Sequence, residues 1–345
     1  MSKTVLVTSG AGFIAHHVIE NILRNTDWNV VSLDRLDFSG NLNRLHDMMD
    51  EFDVETKKRV RIVFHDLRAE INPMVARDIG DVNYVLHLAA GSHVDRSIEY
   101  PMEFVLDNVV GTGHCLEFAR KLPNLERFIC FSTDEVFGPA PQGVNYKERD
   151  RYNSSNPYSA TKAGGEELAV AFENTYKMPI YITHTMNVFG QRQHPEKFIP
   201  MCIRKVNDGD AITIHSDATR TIPGSRFYIH AADVADAMMF LLKLDDTKLE
   251  PDYGDARCPK FNLVGKQEIN NLQLAQIIAD AQGKELKYEM MDFHSARPGH
   301  DLRYALDGDY MRKLGWEPKV ELTERIGEVV DWTLQNDRWL RCEDL

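Results

Sequence analysis

Short apolar runs alternate with longer stretches in which apolar residues recur every three or four positions through the first half of the chain. The short runs predict buried strands and the longer stretches predict amphipathic helices. The predicted strands are Val5–Val7, Asn29–Leu33, Arg61–Phe64, Tyr84–Leu88, Phe128–Phe131 and Ile180–Thr183, and the predicted helices include Phe13–Arg24, Pro101–Lys121 and Tyr158–Lys177. This alternation indicates right-handed βαβ units, so we expect an α/β fold with a Rossmann-type doubly wound parallel sheet.

The pattern changes after about residue 190, where loops and short strand-like pieces such as Ala211–Ile214 dominate. Two helices are predicted in this half, Ala232–Leu244 and Asn271–Ala281. The first of them looks like a return of the chain to the first domain. We therefore expect a Rossmann domain over residues 1–189, with a return of about 226–248, and a smaller α+β substrate domain over residues 190–345.

The turn after the first strand has the spacing G-x-G-x-x-A, with Gly10, Gly12 and Ala15. Between a strand and a helix this spacing is typical of a dinucleotide site, because glycine permits the tight turn and lets the backbone approach a pyrophosphate at the helix N-terminus. The second strand ends at Asp34, whose carboxylate suits the ribose hydroxyls of NAD and repels the 2′-phosphate of NADP. Arg35, the next residue, weakens that preference.

The fifth predicted strand ends in the tetrad Ser132–Glu135, two hydroxyl residues followed by two adjacent acids. Adjacent carboxylates repel each other, and a solvated turn would explain them without any function. An acid–base site also explains them, because such chemistry needs carboxyl groups held close together in different protonation states. Farther along, Tyr158 and Lys162 lie four residues apart on one helix face, where the ammonium favours the phenolate and lowers the pKa of the tyrosine.

The composition narrows the choice of partners and cofactors. The formal charge of −13, from 40 Lys and Arg against 53 Asp and Glu, disfavours nucleic acid and anionic lipid as partners. Five scattered cysteines without a C-x-x-C pair, and histidines without ligand spacing, predict a cytoplasmic protein with reduced thiols and no metal site. No apolar run approaches the roughly 18 residues of a membrane span, and the N-terminal run is too short for a signal peptide.

Six segments of the chain resemble a known family, namely residues 34–42, 87–98, 132–138, 156–162, 195–200 and 297–304. Over nearly its whole length the chain is similar to the extended short-chain dehydrogenases/reductases, the NAD-dependent nucleotide-sugar epimerases and dehydratases. Within them it is most similar to the dTDP-glucose 4,6-dehydratases. The discriminating segment is Thr133-Asp134-Glu135, because related epimerases and decarboxylases usually carry Ser or Thr there without the acidic pair.

The resemblance implies a 4,6-dehydratase that converts a nucleotide-diphosphate hexose to its 4-keto-6-deoxy form and water. NAD⁺ first oxidises the sugar C4 hydroxyl, with Tyr158 as the base and Thr133 holding the hydroxyl. Glu135 then removes the C5 proton, protonated Asp134 donates to the departing C6 hydroxyl, and the hydride returns to C6. Lys162 completes the implied catalytic set. An NAD-dependent epimerase or decarboxylase on the same fold is the alternative.

The resemblance also implies binding residues and a homodimer formed through helices 101–121 and 158–177. The implied cofactor-binding residues are Gly10, Gly12, Phe13, Ile14, Asp34, Arg35, Asp66, Leu67, Leu88, Ala89, Ala90, Ser132, Tyr158 and Lys162. The substrate is a nucleotide-diphosphate sugar, whose charges favour Arg and Lys partners. The implied substrate-binding residues are Ser92, Asn187, Glu196, Lys197, Arg226, Asn262, Arg297 and His300.

Several positions depart from the family pattern. Ser9 replaces the usual first glycine of the dinucleotide loop and Ala15 replaces the last, and both residues are small. We expect weakened rather than lost cofactor binding. Gly91 stands where the dehydratases carry Glu, and the segments 187–192 and 220–228 also differ. These differences affect the expected substrate more than the expected reaction.

Overall fold

A seven-stranded parallel sheet forms the centre of the structure, a computed structural model that describes residues 2–37, 39–249, 258–292 and 302–341. The strands in chain order are β1 (Thr4–Thr8), β2 (Asn29–Asp34), β3 (Val60–Phe64), β4 (Tyr84–His87), β5 (Arg127–Thr133), β6 (Ile180–Thr185), β7 (Val188–Phe189), β8 (Ile212–Ser216), β9 (Ser225–Phe227), β10 (Ile229–His230), β11 (Lys260–Leu263), β12 (Glu268–Asn270) and β13 (Tyr288–Asp292). The order across the main sheet is β11-β6-β5-β4-β1-β2-β3.

Helices cover both faces of this sheet and also form part of the second half of the chain. They are α1 (Phe13–Asn25), α2 (Leu42–Met49), α3 (Val54–Lys57), α4 (Pro73–Ile79), α5 (Val94–Glu99), α6 (Pro101–Val105), α7 (Gly111–Ala119), α8 (Pro157–Tyr176), α9 (Phe198–Asp208), α10 (Ala231–Leu242), α11 (Asn271–Ala281), α12 (Asp309–Leu314), α13 (Leu322–Leu334) and α14 (Asp337–Leu340). A π-helical segment, Leu106–Val110, joins α6 to α7, and a 3₁₀ turn, Asp134–Phe137, follows β5.

The predicted α/β fold with a parallel Rossmann-type sheet is confirmed, and all six predicted strands are present. The seventh strand, β11, was not predicted, although it pairs in parallel with β6 along its whole length. It is only four residues long, and Lys260 and Asn262 interrupt its apolar pattern. The strand order reverses between β1 and β4, and ligands of such sheets bind at the carboxyl ends of the strands beside this reversal.

Two apolar layers bury the central strands from both sides. Alternate residues of β1 point into opposite layers, with Val5 and Val7 on one side and Leu6 on the other. Helices α1 and α10 pack together in the first layer, and α7 and α8 contribute to the second. This double burial explains the continuous apolar runs of the predicted strands.

A separate apolar cluster holds together the elements of the second half of the chain. It joins α9, α11 and α13 to β8, with buried residues such as Ile203, Ile214, Ile278 and Val330. Strand β8 pairs with β13 in parallel, and β9 pairs with β12 in antiparallel fashion. Within the described ranges, no helix has the length and apolar character needed to cross a membrane.

Candidate active site

A cavity of about 830 Å³ lies at the carboxyl ends of the central strands, where the strand order predicts a ligand. Of the site residues predicted from the sequence, the cavity is lined by Gly12, Phe13, Ile14, Arg35, Asp66, Leu88, Ala90, Ser92, Ser132, Tyr158, Lys162, Glu196 and Lys197. A hollow of about 50 Å³ beside it adds Asp34, Leu67 and Ala89. The structure therefore brings most of the predicted cofactor residues to one place.

The loop between β1 and α1 requires two glycines. A Cβ atom at Gly10 would lie 2.0 Å from Ser32 Oγ, and one at Gly12 would lie 2.8 Å from Ser9 O. The Gly12 N–H donates to Ser9 O over 2.7 Å and closes the turn, so the bare backbone at the start of α1 faces the cavity. Such a cradle fits the pyrophosphate of a dinucleotide. Ser9 has φ +57°, a left-handed conformation that strains any residue with a Cβ atom.

Asp34, at the end of β2, holds the dinucleotide loop in place. Its carboxylate accepts hydrogen bonds from the backbone N–H groups of Ala11, at 3.0 Å, and Leu36, at 2.8 Å. Burial raises the pKa of Asp34, and these backbone bonds oppose the rise. The Asp34 side chain therefore ties the loop after β1 to the loop after β2. This structural role is additional to the ribose contact predicted for it.

The turn after β5 places two carboxyl groups in different surroundings. Thr133 Oγ1 donates to Asp134 Oδ1 over 3.0 Å, and the Glu135 N–H donates to Thr133 Oγ1 over 3.4 Å. Asp134 is buried, and its Oδ2 atom has no hydrogen-bond partner among the described residues. Burial, followed by the charge of Glu135, raises the pKa of Asp134 to about 7. Asp134 therefore holds its proton over a pH range in which an ordinary aspartate is ionised.

Glu135 is oriented by the first turn of the following helix. Asn156 caps α8 through a capping box with Ser159, and its Nδ2 atom donates to Glu135 Oε2 over 3.1 Å. Glu135 therefore meets a hydrogen-bond donor, whereas the Oδ2 atom of its neighbour Asp134 meets none among the described residues. The cap of α8 thus ties this carboxylate to the helix that carries Tyr158.

Tyr158 and Lys162 lie one turn apart on α8 and both line the cavity. The sequence predicted a lowered pKa for the tyrosine, and the structure shows the opposite direction. Burial and then the charge of Glu135 raise the pKa of Tyr158, while a hydrogen bond with Thr133 lowers it by a smaller amount. Lys162 Nζ donates to the Phe131 carbonyl over 2.7 Å, and burial lowers the pKa of this lysine. Burial and the neighbouring Glu135, rather than Lys162, therefore set the direction of the tyrosine pKa.

Comparison with known proteins decides the family. The chain matches the model of the family described as GDP-mannose 4,6 dehydratase over residues 6–329. The chain belongs to the GDP-mannose 4,6 dehydratase family. The predicted relationship to the extended short-chain dehydrogenases/reductases that act on nucleotide sugars is confirmed.

Three relatives of this dehydratase family member span nearly its full length. The low-salt glycan biosynthesis protein Agl12 of Haloferax volcanii is 35% identical over 333 residues, which cover 96% of this chain and 99% of that protein. The dTDP-glucose 4,6-dehydratase 1 of Escherichia coli K12 is 34% identical over 361 residues, with 97% and 94% covered. The crystal structure of DesIV, a dTDP-glucose 4,6-dehydratase from Streptomyces venezuelae with NAD and TYD bound, has a TM-score of 0.82 at 30% identity, covering 98% of this chain and 100% of that one.

The predicted substrate residues of this dehydratase family member are not all on the cavity wall. Arg226 Nη1 donates to two backbone carbonyls, those of Ser225 at 2.7 Å and Leu302 at 2.6 Å, and its charge slightly lowers the pKa of Asp134. Asn187 is exposed and lies away from the lining residues. Arg297 and His300 lie outside the described residues.

Asn262 is placed differently from the sequence prediction. Its side chain is fully buried, receives a contact from His184 Nδ1 at 3.1 Å, and donates to the Tyr146 and Asp307 carbonyls, each at 3.0 Å. Of these partners His184 is buried, and Tyr146 and Asp307 are partly exposed. The reason is that Asn262 lies on β11, the strand that the sequence reasoning missed.

A buried polar network beside the end of β5 was also missed. Glu166, one turn beyond Lys162 on α8, is fully buried and accepts from Ser132 Oγ and from the Tyr152 hydroxyl. Although burial opposes ionisation, His184 and then Lys260 lower the pKa of Glu166 to about 2. An acidic residue eight positions after the tyrosine, on the same helix, is the only sequence signal for this network. It fixes the Ser132 hydroxyl at the end of β5.

Asp107 and Arg68 are further cavity residues that the sequence reasoning did not name. Asp107 occupies the π-helical segment, which was assigned to a dimer interface because of its apolar neighbours. Gly91 lies beside it, since a Cβ atom there would be 3.1 Å from Asp107 Oδ2 and from the Phe104 ring. The glutamate that the dehydratases carry at this position does not fit here unless Asp107 or Phe104 moves.

Proposed function

We propose that this protein is an NAD-dependent nucleotide-sugar 4,6-dehydratase, a hydro-lyase that converts a dTDP-glucose-like substrate to the 4-keto-6-deoxy sugar and water. The observation that carries the proposal is the acid pair Asp134 and Glu135 at the end of β5. Asp134 is buried with a pKa raised to about 7, and Glu135 accepts a hydrogen bond from Asn156; an acid beside a base is what the elimination of water requires. The epimerase alternative gives no use for such a pair.

The first step we propose is oxidation of the sugar C4 hydroxyl. When bound, NAD supplies the acceptor that takes the hydride from C4 and later returns it to C6. Tyr158 removes the hydroxyl proton, and Thr133 holds the hydroxyl by a hydrogen bond. Because the pKa of Tyr158 is raised, its phenolate needs a nearby positive charge to form. Lys162 supplies that charge.

The second step we propose is the loss of water. The new C4 ketone acidifies the C5 proton, and Glu135 accepts that proton. A hydrogen bond from Asn156 orients the Glu135 side chain for this transfer. Asp134 donates the proton that lets the C6 hydroxyl leave as water, and Glu135 gives its proton back to C5 when the hydride is returned to C6. The Oδ2 atom of Asp134 is buried and has no hydrogen-bond partner in the described part of the chain, so it keeps a proton available for the transfer to the hydroxyl.

The nucleotide-diphosphate part of the substrate is proposed to bind near Ser92, Glu196 and Lys197, which line the cavity away from the dinucleotide loop. Lys197 is the cation among them, and a diphosphate favours such a partner. We also propose that Arg226 contacts the substrate, because its positive charge lowers the pKa of Asp134. The nucleotide base and the hexose are proposed to be those of a dTDP-glucose-like substrate.

The test is to incubate the purified protein with a panel of nucleotide sugars, without added NADH or NADPH, and to follow the products by mass spectrometry. A product lighter by about 18 mass units, one water, is expected with at least one sugar, because the hydride is recycled in each turnover. An unchanged mass with an altered retention time would identify an epimerase. A requirement for stoichiometric reduced cofactor would contradict the recycling mechanism.

We also propose a cytoplasmic homodimer that pairs through α6, the π-helical segment and α8. Leu106 and Tyr176 are exposed large side chains on these elements. Phe104 is buried within the chain, and Gly165 serves packing inside the protomer, because a Cβ atom there would lie 2.5 Å from Asn108 O. Sedimentation that shows a monomer at micromolar concentration would rule out the dimer.

A further inference from the structure

We propose that Asp107 makes this protein select NAD over NADP, by holding the guanidinium groups of Arg35 and Arg68 away from a 2′-phosphate. The inference rests on the proposed function in one respect, that a dinucleotide binds in the cavity. It assigns part of the selection to a residue of the π-helical segment, 73 positions beyond Asp34 in the chain (107 − 34). Asp107 is a positioning residue in this proposal, since it acts through the two arginines.

Arg35 is the residue that would capture a 2′-phosphate. It follows Asp34 at the end of β2 and lines both the cavity and the adjoining hollow, and an arginine near this strand end is what accommodates the 2′-phosphate in NADP-binding folds. A guanidinium group has five N–H donors. In this structure five contacts use them, two to Asp37, two to Asp107 and one to Asp66.

Asp107 holds the arginines with both of its oxygens. Arg35 approaches them with Nη1 at 2.6 Å and Nη2 at 3.2 Å, and Arg68 with Nε at 2.7 Å and Nη2 at 3.2 Å. Only 9% of the Asp107 side chain is exposed. Burial by itself would raise the pKa of Asp107, but the bonds from Arg68 and Arg35 lower it, so the carboxylate keeps its charge.

The local charge adds to this effect. Two guanidinium groups, Arg35 and Arg68, face three carboxylates, Asp37, Asp66 and Asp107. The formal sum is −1 (2 − 3), so a phosphate dianion would enter a site that already has excess negative charge and no unused guanidinium donor on Arg35. A ribose hydroxyl, which is neutral and can donate, meets no such barrier.

A purely structural role for Asp107 makes a different prediction. The same bonds tie the π-helical segment to the loops after β2 and β3, so their loss would loosen the wall and weaken NAD and NADP together. A selective role changes the ratio of the two affinities. The ratio is therefore the quantity to measure, and the stability of the variant is a separate control.

The experiment uses the full-length protein as purified, dialysed against mixtures of NAD⁺ and NADP⁺ of varied ratio. The bound dinucleotides are then released and quantified by chromatography. Asp107→Asn keeps the shape and removes the charge. We expect the NADP⁺ to NAD⁺ affinity ratio to rise roughly tenfold, the change that follows from about 1.4 kcal/mol. Asp37→Asn, which loosens Arg35 from the other side, should give a smaller rise and serves if Asp107→Asn does not fold.

The matched control is Glu117→Gln on α7. It removes one negative charge close by in the sequence, but Glu117 pairs with Arg120 and Lys121 away from the cavity. An unchanged affinity ratio in folded Asp107→Asn would overturn the proposal, as would an unchanged ratio in Asp37→Asn where Asp107→Asn does not fold, or an equal rise in Glu117→Gln. Wild-type protein that binds neither dinucleotide would instead refute the proposed function. If the wild-type protein binds NAD⁺ and the variants leave the NADP⁺ to NAD⁺ affinity ratio unchanged, only this inference is refuted.

Discussion

Two buried aspartates at different parts of the cavity region have pKa values shifted in opposite directions. Asp134, beside the proposed reacting sugar, accepts one hydrogen bond from a hydroxyl, and burial raises its pKa to about 7. Asp107, near the dinucleotide loop, accepts four hydrogen bonds from two guanidinium groups, and these lower its pKa despite burial. Both side chains are largely removed from water.

The difference between them shows what fixes the state of a buried acid. Burial raises the pKa of each carboxyl group, and only a cation within hydrogen-bond reach reverses that direction. Asp134 has a second acid, Glu135, as its neighbour, and Asp107 has Arg35 and Arg68. The first arrangement gives a proton donor, and the second gives a permanent negative charge that occupies the donors of two arginines.

The largest effect is expected from removing Tyr158, the proposed base near Asp134, while the contacts of Asp107 stay intact. Tyr158→Phe should slow hydride transfer by roughly 10⁴-fold, the upper range for a positioned base. The measurement is NADH absorbance in a single turnover. Tyr176→Phe, at the exposed end of the same helix, is the control and should behave as wild type. A normal NADH signal in Tyr158→Phe would contradict the assigned role.

The next effect separates the two acids of the turn from the tyrosine. Asp134→Asn cannot donate a proton and Glu135→Gln cannot accept one, so dehydration should fall by roughly 10²–10⁴-fold in each variant. Oxidation at C4 uses neither group, and a single-turnover NADH signal should remain. Asp150→Asn, an exposed acid in the segment after the turn, is the control. Near-normal dehydration in both variants would mean that the pair is only a polar turn.

The sequence was sufficient where the chemistry depends on neighbouring positions in the chain. The Tyr158 and Lys162 spacing and the glycine loop are local patterns, and the structure brings them to one cavity. The Thr133–Glu135 turn is local as well; it directly follows the lining residue Ser132 and interacts with Tyr158, but its own three residues are not among those that line the cavity. The direction of the tyrosine pKa was wrong, because burial by the rest of the fold cannot be read from a four-residue spacing.

The sequence was insufficient where the site depends on distant segments. Asp107 meets Arg35 only because the π-helical segment packs against the end of β2, 72 residues away (107 − 35). Asn262 was assigned to the substrate by the family resemblance. Strand β11 is short and its alternation is broken by polar residues, so the place of Asn262 in the central sheet was not visible. Long-range contacts of this kind leave no periodic signal.

A moderate effect follows from the pKa of Asp134, which burial and Glu135 raise to about 7. Asp134 must carry its proton to donate it. Below pH 7 its protonation should therefore leave the rate of dehydration independent of pH. Above pH 7 the rate should fall by about tenfold per pH unit. In Glu135→Gln the titration of Asp134, followed by its carboxyl infrared band, should move to lower pH, because a repelling charge is lost. A midpoint that stays at the wild-type value would contradict this coupling.

The smallest effect concerns the strained serine of the dinucleotide loop. Ser9 has φ +57°, a conformation that glycine adopts freely and that residues with a Cβ atom adopt at a cost of about 1–2 kcal/mol. Ser9→Gly also frees the unfolded chain, which offsets part of the gain. We therefore expect the free energy of unfolding to rise by about 0.5–1 kcal/mol, as measured by urea denaturation.

The reverse substitution at a comparable turn isolates the backbone contribution to this last effect. Gly143 has φ +78°, and a Cβ atom there would meet no other atom within 4 Å. Gly143→Ser should therefore lower the free energy of unfolding through conformation alone, by about 1 kcal/mol. If it does and Ser9→Gly brings no gain, then contacts of the Ser9 side chain offset its backbone strain. The loop would then owe its shape to the serine as well as to Gly10 and Gly12, in contrast to the simple weakening expected from the sequence.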